Sequence, residues 1–510
     1  MSTRDTFQVL LRKKETESCA RYSTIFFAGK DPYFYDTGTQ KVFHLTEEEK
    51  DFFTHFLEDD PKKFQVYCSG LSDDLCESLA NNISDYHLLQ MPHSYTLSVY
   101  HHEHCLDDAV HHHLEQLILE LTQRCNLRCR YCIYQEDYPY NRNYSNSDMT
   151  EEMALRAVDY AFEHAQDELA ITFYGGEPLL QFPLLQKVVE YARQKKSGKK
   201  LSFSVTSNMT LMTEEMADFI ARIPEFSLLC SIDGPQEIHD AYHIDVKGEG
   251  SFSRAIKGLQ IISAAYKKYR KENLGINAVF APPFTIEKIE QIHLFFQSLD
   301  LPPHTRIDLS YAQEESLPEE KRPIDTTPEK QEKRQVNPLW NWSVQNYEEY
   351  GMDPDHITIN WSNMTKSLNT IHRRALTDEP APACKFNGCC VPASRRLYVS
   401  TTGAFKVCER IGEAPDFGNI TSGIDLEKLK RAYVDEYAQI SGPDCDNCWA
   451  QKLCMICYAS CYSKSGIDIN RKRKTCKYEK RRIHKTLSLY YELLQRHPEL
   501  IHKLNKLETI

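Results

Sequence analysis

Three cysteines lie close together in the segment CNLRCRYC, at Cys125, Cys129 and Cys132. They directly follow the apolar run LILELT, so a loop at the end of a predicted strand presents three thiolates to one point. Thiolates suit zinc ions and iron-sulfur clusters, and a set of three leaves one iron of a 4Fe-4S cluster without a protein ligand. A structural zinc ion would need a fourth cysteine or histidine, and the following residues IYQEDYPYNRNY contain neither. The spacing therefore favours an iron-sulfur site with one open iron.

A second group of ten cysteines fills the C-terminal part of the chain. Ten thiols exceed the needs of one metal ion, whereas two 4Fe-4S clusters would use eight of them. Zinc held by the C-x2-C pair at Cys445 and Cys448 is the structural alternative. The ten cysteines are Cys384, Cys389, Cys390, Cys408, Cys445, Cys448, Cys454, Cys457, Cys461 and Cys476. The scattered cysteines, interpreted as small buried apolar residues, are Cys19, Cys68, Cys76, Cys105 and Cys230.

Length and charge narrow the class of protein. A chain of 510 residues predicts two or three domains. The formal charge of -12 argues against nucleic acid as a partner, and the short basic run Arg471 to Lys474 is interpreted as a solvated face. No segment reaches the roughly 18 consecutive apolar residues of a membrane span, and MSTRDTFQVLLRKKE lacks a signal-peptide core. We therefore expect a cytoplasmic protein with no membrane partner, in which cysteines serve metal or redox chemistry and not disulfides.

The elements that position the first three cysteines follow a regular rhythm. From Leu117 onward, short apolar runs alternate with amphipathic helical stretches. This alternation predicts an α/β fold with six parallel strands and right-handed crossover helices, open or curled into a partial barrel, with the chemistry at the strand C-termini. The predicted strands are LILELT, LAITFYGG, LSFSVTSN, FSLLCSIDG, GINAVFA and RIDLSYA.

The flanking segments have a different character. Before the alternation, YSTIFFAG and DPYFYDTGTQKVFHL predict strands around a turn at Asp36 to Thr39, followed by the helix LTEEEKDFFTHFL. After Ala312 a polar, proline-containing segment predicts a surface connection, and RRIHKTLSLYYELLQRHPELIHKL predicts a helix packed against the body. The predicted organisation is an N-terminal small α+β module at 1–105, the α/β domain at 106–312, a connection at 313–380, a cysteine-rich domain at 381–480 and a C-terminal helix at 481–510.

CNLRCRYC resembles the C-x3-C-x2-C signature of the radical SAM superfamily, which implies a partial (β/α)6 barrel. By that resemblance Cys125, Cys129 and Cys132 are the catalytic cluster ligands, and Tyr131 packs its ring beside the adenine. The open iron would bind the amino and carboxylate groups of S-adenosylmethionine. One electron would then cleave the sulfonium to a 5'-deoxyadenosyl radical, which abstracts hydrogen from the substrate.

Further motifs of the same family fall at the ends of the next predicted strands. A GGEP motif would meet the methionine amino group largely through backbone, and glycine there permits close approach. Later Ser, Asn and Asp residues resemble ribose- and carboxylate-contacting positions. Where relatives often show H-D-x-x-R, this chain has His239 and Asp240 followed by Ala241, Tyr242 and His243, so no arginine role is assigned. The implied cofactor-binding residues are Gly175, Gly176, Glu177, Pro178, Ser207, Asn208, Ser231 and Asp233.

The cysteine-rich domain resembles SPASM domains, which hold auxiliary clusters in radical SAM enzymes that modify peptides. The resemblance implies three 4Fe-4S clusters in all. The usual C-x3-C step after Cys454 is here C-x2-C to Cys457 and C-x3-C onward to Cys461, so the fourth ligand of the first auxiliary cluster stays open between these two. The implied ligands are Cys384, Cys390, Cys408 and Cys457 for the first auxiliary cluster, and Cys445, Cys448, Cys454 and Cys476 for the second.

The same resemblance is greatest to maturases of the ranthipeptide and sactipeptide type, which install thioether links in ribosomally made peptides. It implies a winged-helix-like N-terminal module that binds the leader of a precursor peptide as an added strand. A reductant such as flavodoxin or ferredoxin would supply electrons. Carbon-carbon crosslinking, epimerisation and formylglycine formation share every cluster ligand and remain alternatives. A different class is a non-catalytic iron-sulfur or zinc protein that binds peptides or senses redox state.

Overall fold

The protein is described by a computed structural model. Cys384 lies outside the described residues, and so do the side chain of Cys105 and most of the polar segment that follows Ala312. The side chains of 100–105, 347, 348, 350, 361–363, 500 and 501 are also outside them. The described residues are 3–93, 100–136, 138, 140–196, 198–272, 274–313, 317, 320, 338–350, 359, 361–380, 388–463 and 465–505.

Residues 3–93, here called the N-terminal module, form a small antiparallel sheet covered by helices. The strands and the following helix lie where the sequence predicted them. Thr46 begins that helix with a reciprocal capping box, in which its hydroxyl accepts from Glu49 N and the Glu49 carboxylate accepts from Thr46 N. The elements are α1 (Thr3–Thr16), β1 (Ser23–Ala28), β2 (Asp31–Asp36), β3 (Val42–His44), α2 (Glu47–Leu57), α3 (Pro61–Ser69) and α4 (Asp73–Asp85). The sheet order is β1-β2-β3.

The central sheet contains the six predicted strands, all parallel and in chain order. Its strands are β4 (Gln116–Thr122), β5 (Glu168–Gly175), β6 (Lys200–Ser207), β7 (Phe226–Ser231), β8 (Gly275–Phe280) and β9 (Arg306–Tyr311). The helices that precede or connect them are α5 (Tyr100–His112), α6 (Glu151–His164), α7 (Phe182–Lys195), α8 (Glu214–Ala221), α9 (Gln236–Asp240), α10 (Phe252–Lys268) and α11 (Ile286–Gln297). The predicted parallel α/β architecture is confirmed.

Two short strands from the cysteine-rich region extend this sheet beyond the six that the sequence predicted. β10 (Leu397–Val399) pairs in parallel with β4, and β11 (Phe405–Lys406) pairs antiparallel with β10. The fully buried Glu120 reinforces the junction, because its carboxylate accepts from Thr401 N at 3.0 Å. The cysteine-rich region is therefore continuous with the central sheet.

The remaining elements follow the central strands in the chain. The long helix α16 (Ile469–Arg496) packs back on the N-terminal module, where a ring nitrogen of His484 lies 2.9 Å from Ile25 O. The predicted boundaries at 105/106 and 480/481 fall inside α5 and α16. Within the described part of the chain, no helix is both long enough and apolar enough to cross a bilayer. These elements are α12 (Pro338–Tyr350), α13 (Trp361–His372), β12 (Gly418–Asn419), β13 (Gly423–Ile424), α14 (Leu426–Lys430), the π-helical turn Arg431–Asp435, α15 (Glu436–Asp446), β14 (Tyr462–Ser463), β15 (Gly466–Ile467), α16 (Ile469–Arg496) and α17 (Pro498–Leu504).

Candidate functional site

A cavity of about 320 Å³, here called the central cavity, opens at the C-terminal ends of β4 to β9. The loop after β4 brings its three cysteines to the cavity wall, and the loops after β5, β6 and β7 complete one side. This is the edge of a parallel sheet at which α/β proteins bind ligands. The predicted site residues that line the cavity are Cys125, Cys129, Tyr131, Cys132, Gly175, Gly176, Glu177, Pro178, Ser207, Asn208 and Ser231.

The GGEP segment lies directly against the cysteine loop. Gly176 N donates to Thr122 O at 2.8 Å, and Glu177 N donates to Arg124 O at 2.9 Å. A Cβ atom on residue 176 would lie 2.1 Å from Arg124 O, well inside van der Waals contact. Only glycine therefore allows the two segments to meet, which places the backbone of the motif beside the thiols.

The carboxyl group of Glu177 is used inside the protein. It accepts hydrogen bonds from Leu179 N at 3.0 Å, Ser207 Oγ at 2.9 Å and Asn208 N at 2.8 Å, and the residue is 1% exposed. Burial raises the pKa of this carboxyl to about 7, against the opposing effect of the three donors. Glu177 thereby ties the end of β5 to the end of β6.

Asn208 extends this connection to the cysteine loop. Its amide Nδ2 donates to Asn126 Oδ1 at 3.0 Å, and Asn126 Nδ2 donates to Thr210 Oγ1 at 2.7 Å. Thr210 Oγ1 in turn donates to Asn208 Oδ1 at 2.6 Å. The closed ring of three side chains fixes the residue that follows Cys125.

Asp233 is not among the residues that line the cavity, and the cofactor contact expected for it stays a prediction. It is 1% exposed and lies behind Tyr131, whose hydroxyl donates to Asp233 Oδ2 at 2.7 Å. Val279 N donates to the other oxygen at 2.8 Å, and His243 Nε2 lies 3.4 Å from the carboxylate. Because its oxygens are engaged in this way, Asp233 orients the Tyr131 ring at the cavity wall.

His243 is a site residue that the sequence analysis missed. It lines the cavity, and its Nδ1 lies 3.3 Å from Cys129 Sγ while its Nε2 contacts the Tyr131 hydroxyl. The signal in the sequence was that His243 stands at the position of the arginine in H-D-x-x-R. The missed polar side chains at other strand ends could have been found from the rule that ligands bind there; they are Thr206, Asn277, Ser310 and Gln313.

A separate cavity of about 430 Å³, here called the C-terminal cavity, lies among α15, α16 and the loop between them. The four cysteines predicted for the second auxiliary cluster all line it. Burial raises the pKa of the Cys454 thiol and of its three partners. The structure therefore gathers Cys445, Cys448, Cys454 and Cys476 around one space.

The residues predicted for the first auxiliary cluster are grouped elsewhere. Burial raises the pKa of the Cys390 and Cys408 thiols, and nearby Cys457 adds to the rise in both. Cys461 is fully buried, with its Sγ 3.8 Å from the Tyr437 hydroxyl. Three of the four predicted ligands thus lie near one another, and the fourth, Cys384, is outside the described residues.

The positions of the thiols indicate which metal group they could bind. A tetrahedral zinc site with Zn–S distances of about 2.3 Å brings its sulfurs to within about 4 Å of one another. Among the residues that the structure describes, no three Cys, His, Asp or Glu side chains converge closely enough to bind one ion. The cysteines instead surround cavities of about 320 and 430 Å³. Cavities lined by three and by four thiols fit 4Fe-4S clusters.

Residues 119–296 match the Radical SAM superfamily. An uncharacterised protein of Methanocaldococcus jannaschii is 34% identical over 151 residues, which cover 30% of this chain and 49% of that protein. The cysteine-type anaerobic sulfatase-maturating enzyme of Clostridium novyi is 29% identical over 190 residues, 37% of this chain and 49% of the enzyme. The radical SAM cyclopropyl synthase TigE of Paramaledivibacter caminithermalis is 23% identical over 360 residues, 68% of each chain.

The chain therefore spans about half the length of the first two of these relatives. Among solved structures, native anSMEcpe with bound AdoMet and Cp18Cys peptide matches with a TM-score of 0.54 and 22% identity. The match covers 77% of this chain and 99% of that chain. This likeness supports the fold of the central sheet and its flanking elements.

Proposed function

Because residues 119–296 form a radical SAM domain, we propose that the chain is a radical SAM enzyme that modifies peptides and closes thioether links in a ribosomally made precursor. The observation that carries the proposal is the meeting of Cys125, Cys129 and Cys132 with the GGEP backbone at one cavity. When a 4Fe-4S cluster and S-adenosylmethionine are bound there, they supply a 5'-deoxyadenosyl radical that removes a hydrogen atom from the peptide.

Residues on two walls of the central cavity bind S-adenosylmethionine. The backbone at Gly176 meets the methionine end, since no side chain separates it from the cysteine loop. The Tyr131 ring, held by Asp233, packs against the adenine. Ser231 and Asn208 line the space between and contact the ribose and carboxylate.

The N-terminal module offers one sheet edge to a leader peptide. In the described sheet β3 pairs only with β2, whereas β1 is covered on its outer side by α16 through His484 and Ile25. A leader strand adds to β3 through backbone hydrogen bonds. Tyr86 is 44% exposed beside this edge, and its ring packs at a tilt against Phe43 with the centroids 5.0 Å apart, which provides an apolar contact for a leader side chain.

The cysteine-rich region completes the enzyme. Cys390, Cys408 and Cys457 with Cys384 would hold one auxiliary cluster, and the four cysteines of the C-terminal cavity would hold a second. Closing a carbon-sulfur bond after hydrogen abstraction releases one electron and one proton. Clusters held by these cysteines would supply an acceptor for the electron within the same chain.

Formylglycine formation on a sulfatase is a second candidate, because sulfatase-maturating enzymes are among the relatives of the central domain. The structural match to anSMEcpe covers nearly all of that chain but leaves about a quarter of this one unmatched. The thioether proposal also gives the N-terminal module a role, namely the binding of a leader peptide.

The test begins with anaerobic reconstitution using iron and sulfide. We expect about twelve irons per chain and 5'-deoxyadenosine on addition of S-adenosylmethionine and dithionite, with no product in Cys125→Ala. A cysteine-rich precursor peptide that the enzyme modifies is expected to lose two hydrogens per link. Loss of sulfur from a sulfatase cysteine peptide, with the precursor unchanged, would support formylglycine formation instead. Zinc with no deoxyadenosine would overturn the proposal.

A further inference from the structure

Lys472 is a buried cation at the wall of the C-terminal cavity. It is 2% exposed, on the inner face of α16, and its Nζ donates to Cys445 Sγ at 3.2 Å. Within the described residues no carboxylate lies within ion-pair distance of this ammonium group. The group that the ammonium contacts is therefore a cysteine sulfur and not a carboxylate.

The acidic residues that line the same cavity are already paired with other side chains. Asp444 accepts from Arg473 at 2.7 Å, and Glu479 accepts from Arg482 at 2.8 Å. Lys477 and Lys480 also line the cavity. The four cysteines thus face an excess of positive charge, of which Lys472 is the most deeply buried member.

A buried ammonium group is costly unless a counter-charge offsets its loss of water. A neutral thiol cannot provide one, but coordination to metal deprotonates a thiol and fixes a negative charge on its sulfur. A 4Fe-4S cluster with four thiolates also carries net negative charge. Lys472 therefore has the position and charge of a residue that stabilises a cluster-bound sulfur.

We propose that Lys472 raises the reduction potential of the cluster held by Cys445, Cys448, Cys454 and Cys476, which makes that cluster the acceptor of the electron released during crosslinking. This inference rests on the proposed function. Reduction adds one negative charge, and a fixed cation bonded to a ligand sulfur favours the reduced form, since cluster potentials depend on net charge and on hydrogen bonds to sulfur.

The step balances. One peptide carbon gives a hydrogen atom to the deoxyadenosyl radical, and the substrate thiol gives its proton to water. The carbon-sulfur bond then forms, and the one remaining electron passes to the oxidised cluster. Lys472 acts here as a positioning residue, because it touches a ligand of the cluster and not the peptide.

The test is a redox titration followed by electron paramagnetic resonance. It uses the full chain carrying Cys125→Ala, Cys129→Ala and Cys132→Ala, so that the first cluster does not contribute. The signal of interest is the one lost on further Cys448→Ser substitution. The variants compared are Lys472→Met and Lys472→Gln, two neutral replacements, and Lys474→Met, which removes an exposed charge two residues further along the same helix.

We expect either neutral variant at Lys472 to shift the one-electron equilibrium at least tenfold toward the oxidised form, which corresponds to about 59 mV. Lys474→Met is expected to shift it less than twofold. An unchanged potential in a Lys472 variant that keeps its full iron content would overturn the role of Lys472. If Cys448→Ser removes neither iron nor signal, the auxiliary cluster of the proposed function fails instead, and the two failures are thereby distinguished.

Discussion

Arg21 of the N-terminal module donates two hydrogen bonds to Asp446, the residue that follows Cys445. Its Nε donates to Asp446 O at 3.0 Å and its Nη2 donates to the carboxylate at 3.1 Å. The guanidinium is fully buried and also donates to Met91 O and Pro92 O, each at 3.0 Å. The end of α15, which carries Cys445, is thus held in place by the N-terminal module.

Arg21→Ala is expected to lower the free energy of unfolding by about 3–5 kcal/mol, because it leaves buried backbone acceptors without their donor and removes the ion pair with Asp446. It should also reduce the iron bound by the C-terminal cavity. Denaturant unfolding and iron analysis measure the two effects. Arg12→Ala is the matched control, since Arg12 is exposed on α1. Equal stability of the two variants would contradict a supporting role for Arg21.

Gly176→Ala is expected to reduce 5'-deoxyadenosine formation by about a hundredfold. The new Cβ would displace the GGEP backbone from the cysteine loop, and a misplacement of about 1 Å is enough for such a loss. Gly70→Ala serves as control, because a Cβ there meets only Tyr67 O at 3.6 Å. If both variants form the product at the wild-type rate, the close contact is not required for catalysis.

Tyr131→Leu is expected to weaken binding of S-adenosylmethionine about tenfold, since an aromatic contact contributes about 1.4 kcal/mol beyond the buried area. Tyr131→Phe keeps the ring and loses the hydroxyl's contacts with Asp233 and His243, so we expect a smaller loss of roughly threefold. Equilibrium dialysis on the reconstituted protein measures both. Undiminished affinity in Tyr131→Leu would place the adenine elsewhere.

The raised pKa of Glu177 predicts that the stability of the iron-free chain depends on pH. Its folded pKa of about 7 lies above the ordinary 4.5, so the folded state holds the proton more tightly. The stability contributed below pH 4.5 is therefore lost as pH rises toward and through 7. Between pH 5.5 and 7.5 wild type should lose about 2 kcal/mol relative to Glu177→Gln, which does not titrate. Parallel pH profiles in urea unfolding would contradict the buried, protonated carboxyl.

The sequence was sufficient to predict the six parallel strands, because each is an apolar run of ordinary length and the first five are each followed by an amphipathic helix. It also located the three thiols and the GGEP segment at one cavity, since the ends of parallel strands share an edge. It could not show that β10 and β11 join this sheet, as three and two residues carry no periodicity. It could not show that Asp233 accepts from Tyr131 and Val279, because these donors are distant from it in sequence.

The pairing of β10 with β4 also sets the order in which the chain can fold. Leu397 lies opposite Leu117, so this contact closes a loop of 280 residues. During synthesis the outer edge of β4 has no partner until residue 399 has left the ribosome, and an unpaired edge invites association with other chains. By pairing with β4, the cysteine-rich region therefore covers the open edge of the α/β domain, which is synthesised before it. A fragment that ends before β10 is expected to aggregate even though it contains the whole radical SAM signature.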